Sequence, residues 1–462
     1  MQKDFVLYYI LFMALGLIWN FFRKNDLEIL PSFLWLLLMV LPFWVQFDSF
    51  PSVSIANQMT GIVFIGTCLL VADSIKIKPN SGANKLMPAA EKFFSSYWLY
   101  AGLFILITSY HMSLIPHIPL IEKYLHGVTD PTELSRMRED TSKLLNVSSL
   151  LKFLFNWAAN ILAPVSIVLA LRKKKYLLAV LFFIMAALYA VMSLAKTQMV
   201  FLGIVIILSI FFQMPFKKRL LGYLVLLILM SPFLYQGYDF LTHSPLSVMN
   251  WQASQAEIDQ LKLSPEDPRS RFTPGDHSRL APLDLEKRLS ASERVYNYTF
   301  YRVFLGPADV SSRWYQYFPE HSDGFIGLQG LKSKDRENAA KTHPARLVGH
   351  WAYTERFPNR YLETVQAYAS VDADAYARFG IFGIVLAGVL VLVLRILLKV
   401  FRDGSELGES LYVIALVLMG LWWSSASVQA ILLAQGVLPI LALLCLRYVF
   451  VKIKKFRNRE VV

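Results

Sequence analysis

Residues 172–219 read "RKKKYLLAVLFFIMAALYAVMSLAKTQMVFLGIVIILSIFFQMPFKKR". Two apolar runs, 176–194 and 198–215, are joined by a connection whose one charge is Lys196. Each run is closed at its far end by a basic cluster, Arg172 to Lys175 on one side and Lys217 to Arg219 on the other. The runs are apolar all round, without the polar face that a soluble helix turns to water. At ~1.5 Å per residue each run covers most of ~30 Å of hydrocarbon, so the pair reads as a transmembrane hairpin. Its lysines and arginines hold the two ends in the cytoplasm and put the tip outside.

Similar windows recur on both sides of this hairpin. They fall near 5–22, 30–47, 54–75, 95–116, 149–171, 220–239, 379–401, 410–427 and 432–450, which makes about eleven spans in all. The connections 23–29, 76–94 and 402–409, like the tail, are basic, whereas those near 48–53 and 428–431 hold no basic residue. Alternation then sets the N-terminus outside (periplasmic in a bacterium) and the C-terminus in the cytoplasm. Only helices and closed barrels satisfy their backbone groups in lipid, and windows of this length are helical, so the fold class is all-α, a polytopic helical membrane protein.

Composition agrees. Of 462 residues, 55% are hydrophobic and 17% charged, with mean hydropathy +0.45, against roughly a quarter charged in a soluble chain. The net charge of +13 invites a nucleic-acid reading. Its basic clusters sit at span ends, however, where they retain loops in the cytoplasm and attract anionic headgroups. No nucleic-acid partner is expected. Cys68 and Cys445 both lie in apolar windows and imply neither a disulfide framework nor a metal site. The N-terminal run lacks a small-residue cleavage site and reads as the first span.

The chain therefore divides into spans one to eight over 1–239 with a smaller outer loop at 117–148, a large outer loop at 240–378, and the last three spans with a basic tail over 379–462. Residues 241–375 hold 16 Lys/Arg and 17 Asp/Glu, so the large loop is close to neutral while its arginines are clustered. All eight histidines, His111, His117, His126, His243, His277, His321, His343 and His350, fall in the outer segments or at their edge.

Retention of positive charge in the cytoplasm gives no reason for arginines outside. Arg294, Arg302, Arg313, Arg346, Arg356 and Arg360 nevertheless stand in the large loop, Arg136 and Arg138 in the smaller one, and Lys196 at an outer helix end. A guanidinium is a planar fork that grips phosphate oxygens in pairs. Converging near the membrane surface, such groups would receive a diphosphate carried on a lipid; the alternative is local ion pairing with acids such as Glu293, Asp309, Glu320 and Glu363. Aromatics including Trp314, Tyr315 and Tyr368 are amphipathic platforms for sugar rings, or equally a membrane-interface belt. The chain has no Gly-x-Ser-x-Gly elbow, no His-Glu-x-x-His helix and no phosphate-binding Gly-x-x-x-x-Gly-Lys loop. Asp372 and Asp374 are an acid pair able to bind a cation, but no metal-ligand spacing emerges. The spans read as poor in internal charge, which weighs against an ion-coupled transporter.

"YRVFLGPADVSSRWYQYFPE" (301–320) resembles a segment of the bacterial O-antigen and capsule repeat-unit polymerases of the Wzy type, in which an arginine and a proline precede an aromatic-rich run. "SVDADAYARFGIFGIVLAG" (370–388) resembles their re-entry into the membrane, "SLAKTQMVFL" (193–202) their lysine at an outer helix end, and "SVQAILLAQGVLPILALL" (427–444) their closing span. The spacing Arg313 to Gly324 also fits an Arg-x10-Gly pattern of some polymerases. The resemblance implies a GT-C-like, inverting, metal-independent glycosyltransferase of the inner membrane that needs no cofactor. Its partners would be undecaprenyl-diphosphate-linked oligosaccharides, membrane lipid and a chain-length-regulating membrane protein. Arg302 is the first candidate for stabilising the leaving diphosphate, followed by Arg136, Arg346 and Lys196. Asp309, His321, Glu363 and Asp374 are the candidates for accepting the proton of the attacking hydroxyl. Arg138, Arg294, Arg313, Arg356, Arg360, Trp314 and Tyr315 complete the expected substrate contacts. The polar insertion at 255–290 receives no role. Rival readings are an O-antigen ligase centred on His343 or His350 with Arg346, a lipid-linked-sugar flippase or transporter, and an assembly scaffold.

Overall fold

A computed structural model describes residues 2–23, 28–47, 52–77, 93–115, 148–192, 196–243, 290–296, 303–320, 344–353 and 368–459, together with 118, 121–122, 125, 300, 322 and 324–327. Among them there is no strand, and every one of the eleven apolar windows falls on a helix. These are α1 (Gln2–Phe22), α2 (Leu30–Val45), α3 (Ser52–Ser74), α4 (Tyr97–Ser113), α5 (Leu150–Arg172), α6 (Tyr176–Met192), α7 (Lys196–Gln213) and α8 (Phe216–His243). The large loop contributes α9 (Ala291–Tyr296), α10 (Gly306–Glu320) and α11 (Pro344–Tyr353), and the chain closes with α12 (Val371–Phe401), α13 (Glu406–Trp422) and α14 (Val437–Arg459). Four helices, Gln2–Phe22, Ser54–Ser74, Leu150–Arg172 and Val371–Phe401, are long and apolar enough to cross a membrane; Leu30–Val45, Tyr176–Met192, Gln198–Phe211 and Val437–Phe450 are shorter apolar helices. The protein is a helical membrane protein.

The packing is that of a bundle in lipid. α13 is buried around almost its whole circumference from Leu407 to Gly420 and forms the centre, with α2, α5 and α7 against it. Peripheral helices bury one stripe each: Val6, Tyr9, Met13 and Leu17 on α1, and Ala179, Phe182, Ala186 and Tyr189 on α6. Their other faces are equally apolar yet exposed, as at Leu15, Phe22, Leu177 and Leu188. Water would penalise such surfaces, and acyl chains do not.

Prolines shape the spans. Pro42 and Pro164 have no N–H to donate to the preceding turn, and just before each the helix widens into a π-turn, Leu36–Val40 and Ala158–Leu162. A third π-turn, Ala430–Ala434, precedes Pro439 in α14.

α12 breaks at Phe379 and Gly380, whose φ of +62° lies in the left-handed region. The break coincides with the start of the span expected at 379. Residues 371–378 form a short helix outside it, and Ala375 O folds back so close to Gly383 that a Cβ there would lie 1.9 Å away. Two carbonyls freed by the break are taken up by the 324–327 segment: Ile326 N donates to Ala377 O at 3.0 Å and Gly327 N to Arg378 O at 2.9 Å. Alanine at Gly380 meets both the left-handed backbone and the Phe325 ring at 2.8 Å, and alanine at Gly383 meets a backbone oxygen. Each substitution is expected to cost about 1–3 kcal/mol, read as a lower unfolding midpoint of the purified protein in detergent.

The expectation of charge-poor spans needs correction at one end of the bundle. Asp73, Arg395 and Lys399 all lie within apolar windows and all are buried. Arg395 NH2 donates to Asp73 Oδ1 at 2.7 Å and to Glu28 O at 2.7 Å, while Ser32 Oγ donates to Asp73 Oδ2. Lys399 Nζ lies 2.6 Å from Glu28 Oε2 and donates to carbonyls at the end of α3 and just past it, Ala72 O at 2.7 Å and Ile75 O at 2.8 Å. Arg402 grips Glu409 with two bonds of 2.6 Å, and Arg447 binds Asp403 at 2.9 Å. Lys173 reaches Glu406 here at 3.8 Å, so this is the end that carries the basic connections.

Candidate functional site

At the opposite end, α10 lies across the first turns of α3 and α12. It is amphipathic, and Ala308, Ser311, Ser312, Trp314, Tyr315 and Phe318 are its buried face. Small hydroxyls and one phenol dock that face. Ser311 and Ser370 hydroxyls are 2.8 Å apart, Ser54 and Ser312 hydroxyls 3.4 Å, and Gln58 Nε2 donates to Ala308 O at 2.9 Å. Tyr315 OH donates to Asp372 Oδ2 at 2.9 Å, and Asn57 Nδ2 donates to the Tyr376 hydroxyl at 2.9 Å. The first N–H of α12, at Val371, is met by Trp423 O at 2.9 Å, so the orphan donor of one helix satisfies the orphan acceptor of another.

Beside this seam lies a cavity of about 260 Å³. Phe153 of α5, Trp314 of α10, Ala345 of α11, Tyr368 and Ala369 form its walls, with Asp374 and Arg378 from the short helix before the break. Ser427, Gln429 and the π-turn residues Ala430, Leu433 and Ala434 close the remaining side. Arg378 Nε lies 3.3 Å from Asp374 Oδ2, and its NH1 donates to Gly327 O at 3.2 Å. From the break at Gly380 to Arg395 the helix rises about 22 Å at ~1.5 Å per residue, so cavity and buried charge network stand at opposite ends of the bundle.

The expected site residues distribute unevenly. Asp374 and Trp314 line the cavity. Asp309 and Arg313 do not; they face each other along α10 with Arg313 Nε 3.5 Å from Asp309 Oδ2, the local ion pair that their spacing allows. Tyr315 is a correction: its ring is fully buried against Tyr376 at 4.7 Å and its hydroxyl is committed to Asp372, so it belongs to the protein's own core rather than to a sugar platform. The acid pair Asp372 and Asp374 also separates. Positions two apart on a helix point different ways, and one carboxyl takes the Tyr315 hydroxyl while the other faces Arg378. Lys196 opens α7, Arg294 lies in α9 and Arg346 in α11, but their side chains lie outside what the structure describes. Arg136, Arg138, Arg302, His321, Arg356, Arg360 and Glu363 lie outside the described residues, as does 255–289.

Three polar lining residues had no role in the sequence reading: Arg378, Ser427 and Gln429. The i,i+4 spacing of Asp374 and Arg378 was a usable signal for the first. Nothing local announces Gln429, which follows a span and reaches the cavity only through the turn after α13. No protein-family model, no curated protein and no solved structure matches the chain.

Proposed function

We propose that the chain is a membrane-embedded inverting glycosyltransferase that joins oligosaccharide repeat units carried on undecaprenyl diphosphate, at the periplasmic face of a bacterial inner membrane. In this reading all eleven helical windows span the bilayer in a GT-C-like arrangement, with the N-terminus outside and the tail in the cytoplasm. The observation that carries it is the cavity at the end away from the basic connections, where a carboxylate, Asp374, stands among aromatic and amide side chains.

The terminal hydroxyl of the acceptor unit gives its proton to Asp374 as its oxygen bonds to the anomeric carbon of the donor. The bond from that carbon to the lipid diphosphate breaks, and the diphosphate leaves with the electron pair. Guanidiniums of the outer loops, Arg302 first, stabilise the charge that develops on it.

Deletion of the gene separates the readings. A polymerase deletion leaves single repeat units on the lipid-A core, a ligase deletion leaves none, and a flippase deletion retains the lipid-linked units inside. Single units are expected. Arg302→Ala and Arg302→Lys, at normal protein level, are each expected to lower polymer formation by about 10²–10³-fold, since an ammonium lacks the planar fork. A full ladder in either variant removes Arg302 from the mechanism. The ligase remains the second reading because Ala345 lines the cavity and so brings α11, which carries Arg346 and His350, beside it.

A further inference from the structure

The described lining of the cavity is already balanced in charge. Among its described lining residues the one cation is Arg378, which is shared between Asp374 Oδ2 at 3.3 Å and Gly327 O at 3.2 Å. Among the described lining residues a diphosphate placed here would find no guanidinium but Arg378, already facing Asp374, and would itself face that carboxylate. Its burial would go uncompensated. A neutral ligand meets no such penalty.

The remaining walls suit one class of neutral ligand. Phe153 and the exposed Tyr368 are aromatic, Trp314 is buried behind them, and Ser427 and Gln429 supply a hydroxyl and an amide. Gln429 is exposed and makes no hydrogen bond to a described residue, so both its donor and its acceptor are available. Its backing is rigid. Trp157 Nε1 donates to Leu433 O at 2.6 Å, Asn160 Nδ2 to Gln435 Oε1 at 2.8 Å, and Ala430 N to Ser427 Oγ at 3.2 Å, so the turn after Gln429 is pinned to α5 on one side and capped on the other. At about 260 Å³ the cavity falls short of the ~300–1,000 Å³ of drug-sized ligand sites, which fits a single sugar ring better than a disaccharide.

Resting on the polymerase reading, we infer that this cavity is the subsite for one uncharged pyranose, the terminal sugar of the acceptor. Gln429 selects among sugars by pairing with a ring hydroxyl, and the lipid diphosphate is held elsewhere. The ring lies against Tyr368 with its reacting hydroxyl toward Asp374. Donor and acceptor thus occupy chemically different places, the acceptor's being one whose described lining holds a single arginine, Arg378, already facing Asp374.

The test uses the full chain purified in nanodiscs and saturation-transfer NMR with a panel of methyl pyranosides: the glucoside, galactoside, mannoside, rhamnoside and the two N-acetylhexosaminides. At least one is expected to bind. Gln429→Ala should weaken it about five- to tenfold, the worth of one hydrogen bond. Gln429→Glu, which loses the amide donor but keeps an acceptor, should weaken it by no more than alanine does. Inorganic pyrophosphate should not compete. Both variants are checked for an unchanged unfolding midpoint, and the exposed position makes that the expected result. Failure of every glycoside to bind, binding by both variants equal to that of the unaltered chain, or displacement by pyrophosphate overturns the inference. The deletion ladder is scored separately. Glycoside binding that depends on Gln429 in a protein whose deletion leaves the ladder intact overturns the polymerase reading and keeps the subsite; the reverse pattern overturns the subsite alone.

Discussion

Asparagine at position 374 is expected to lower polymer formation by about 10²–10⁴-fold, the usual worth of a positioned acid or base, while the protein still accumulates in the membrane. Asparagine keeps the shape and one acceptor oxygen of the carboxyl, so Arg378 retains a partner there and its second bond to Gly327 O. What is lost is the group that takes the proton. Asp309→Asn is the control, because Asp309 faces Arg313 on α10 and does not line the cavity. Its ladder is expected to be close to that of the unaltered chain. The measurement is the lengths of lipid-linked product made by purified protein from lipid-linked repeat units, with protein quantified. Full-length product from Asp374→Asn would remove this carboxyl from the chemistry, and collapse in Asp309→Asn alone would transfer the role to α10.

The second large effect is on stability. Asp73 and Arg395 are each completely withdrawn from solvent and lie 2.7 Å apart. Removing one charge strands the other. Asp73→Ala or Arg395→Ala is therefore expected to cost about 3–5 kcal/mol, whereas replacing both with apolar residues of similar size is expected to recover most of the loss. No allowance for solvent screening is needed at zero exposure. Lys399 adds to the penalty, since it holds carbonyls at the end of α3 and just past it from the same face of α12. Denaturant titration of the single and double variants in mixed micelles reads the difference. Additive losses, with no recovery in the double variant, would mean that the two side chains act independently.

Much of the architecture was legible because hydropathy reports the solvent directly. Eleven apolar windows became eleven helical regions, and the Phe-Gly at 379–380 marked the place where α12 breaks. Averages hid other features. A window of twenty apolar residues absorbs one aspartate or arginine without losing its character, so Asp73 and Arg395 passed unnoticed, and only their burial at 0% in each other's company reveals the clamp. Tyr315 shows the opposite error. An amphipathic aromatic in a polar loop has the composition of a sugar platform, and the distinction between binding and packing rests on Asp372, 57 residues further on. Gln429 was invisible for a similar reason: its value comes from the pinned π-turn behind it and from neighbours on α5, α10 and α12, a meeting that sequence distance conceals.

The Asp73–Arg395 pair also constrains the order of biogenesis. The two residues are separated by 322 positions. At a synthesis rate of ~5–20 residues per second, α3 is made roughly 15–60 s before its counter-ion is translated. Over that interval Ser32, only 41 positions upstream and already made, is the one described side chain of the pair's surroundings that can shield the carboxyl. Nascent chains cut short before α12 would therefore carry Asp73 without its counter-ion, its one described shield being the Ser32 hydroxyl.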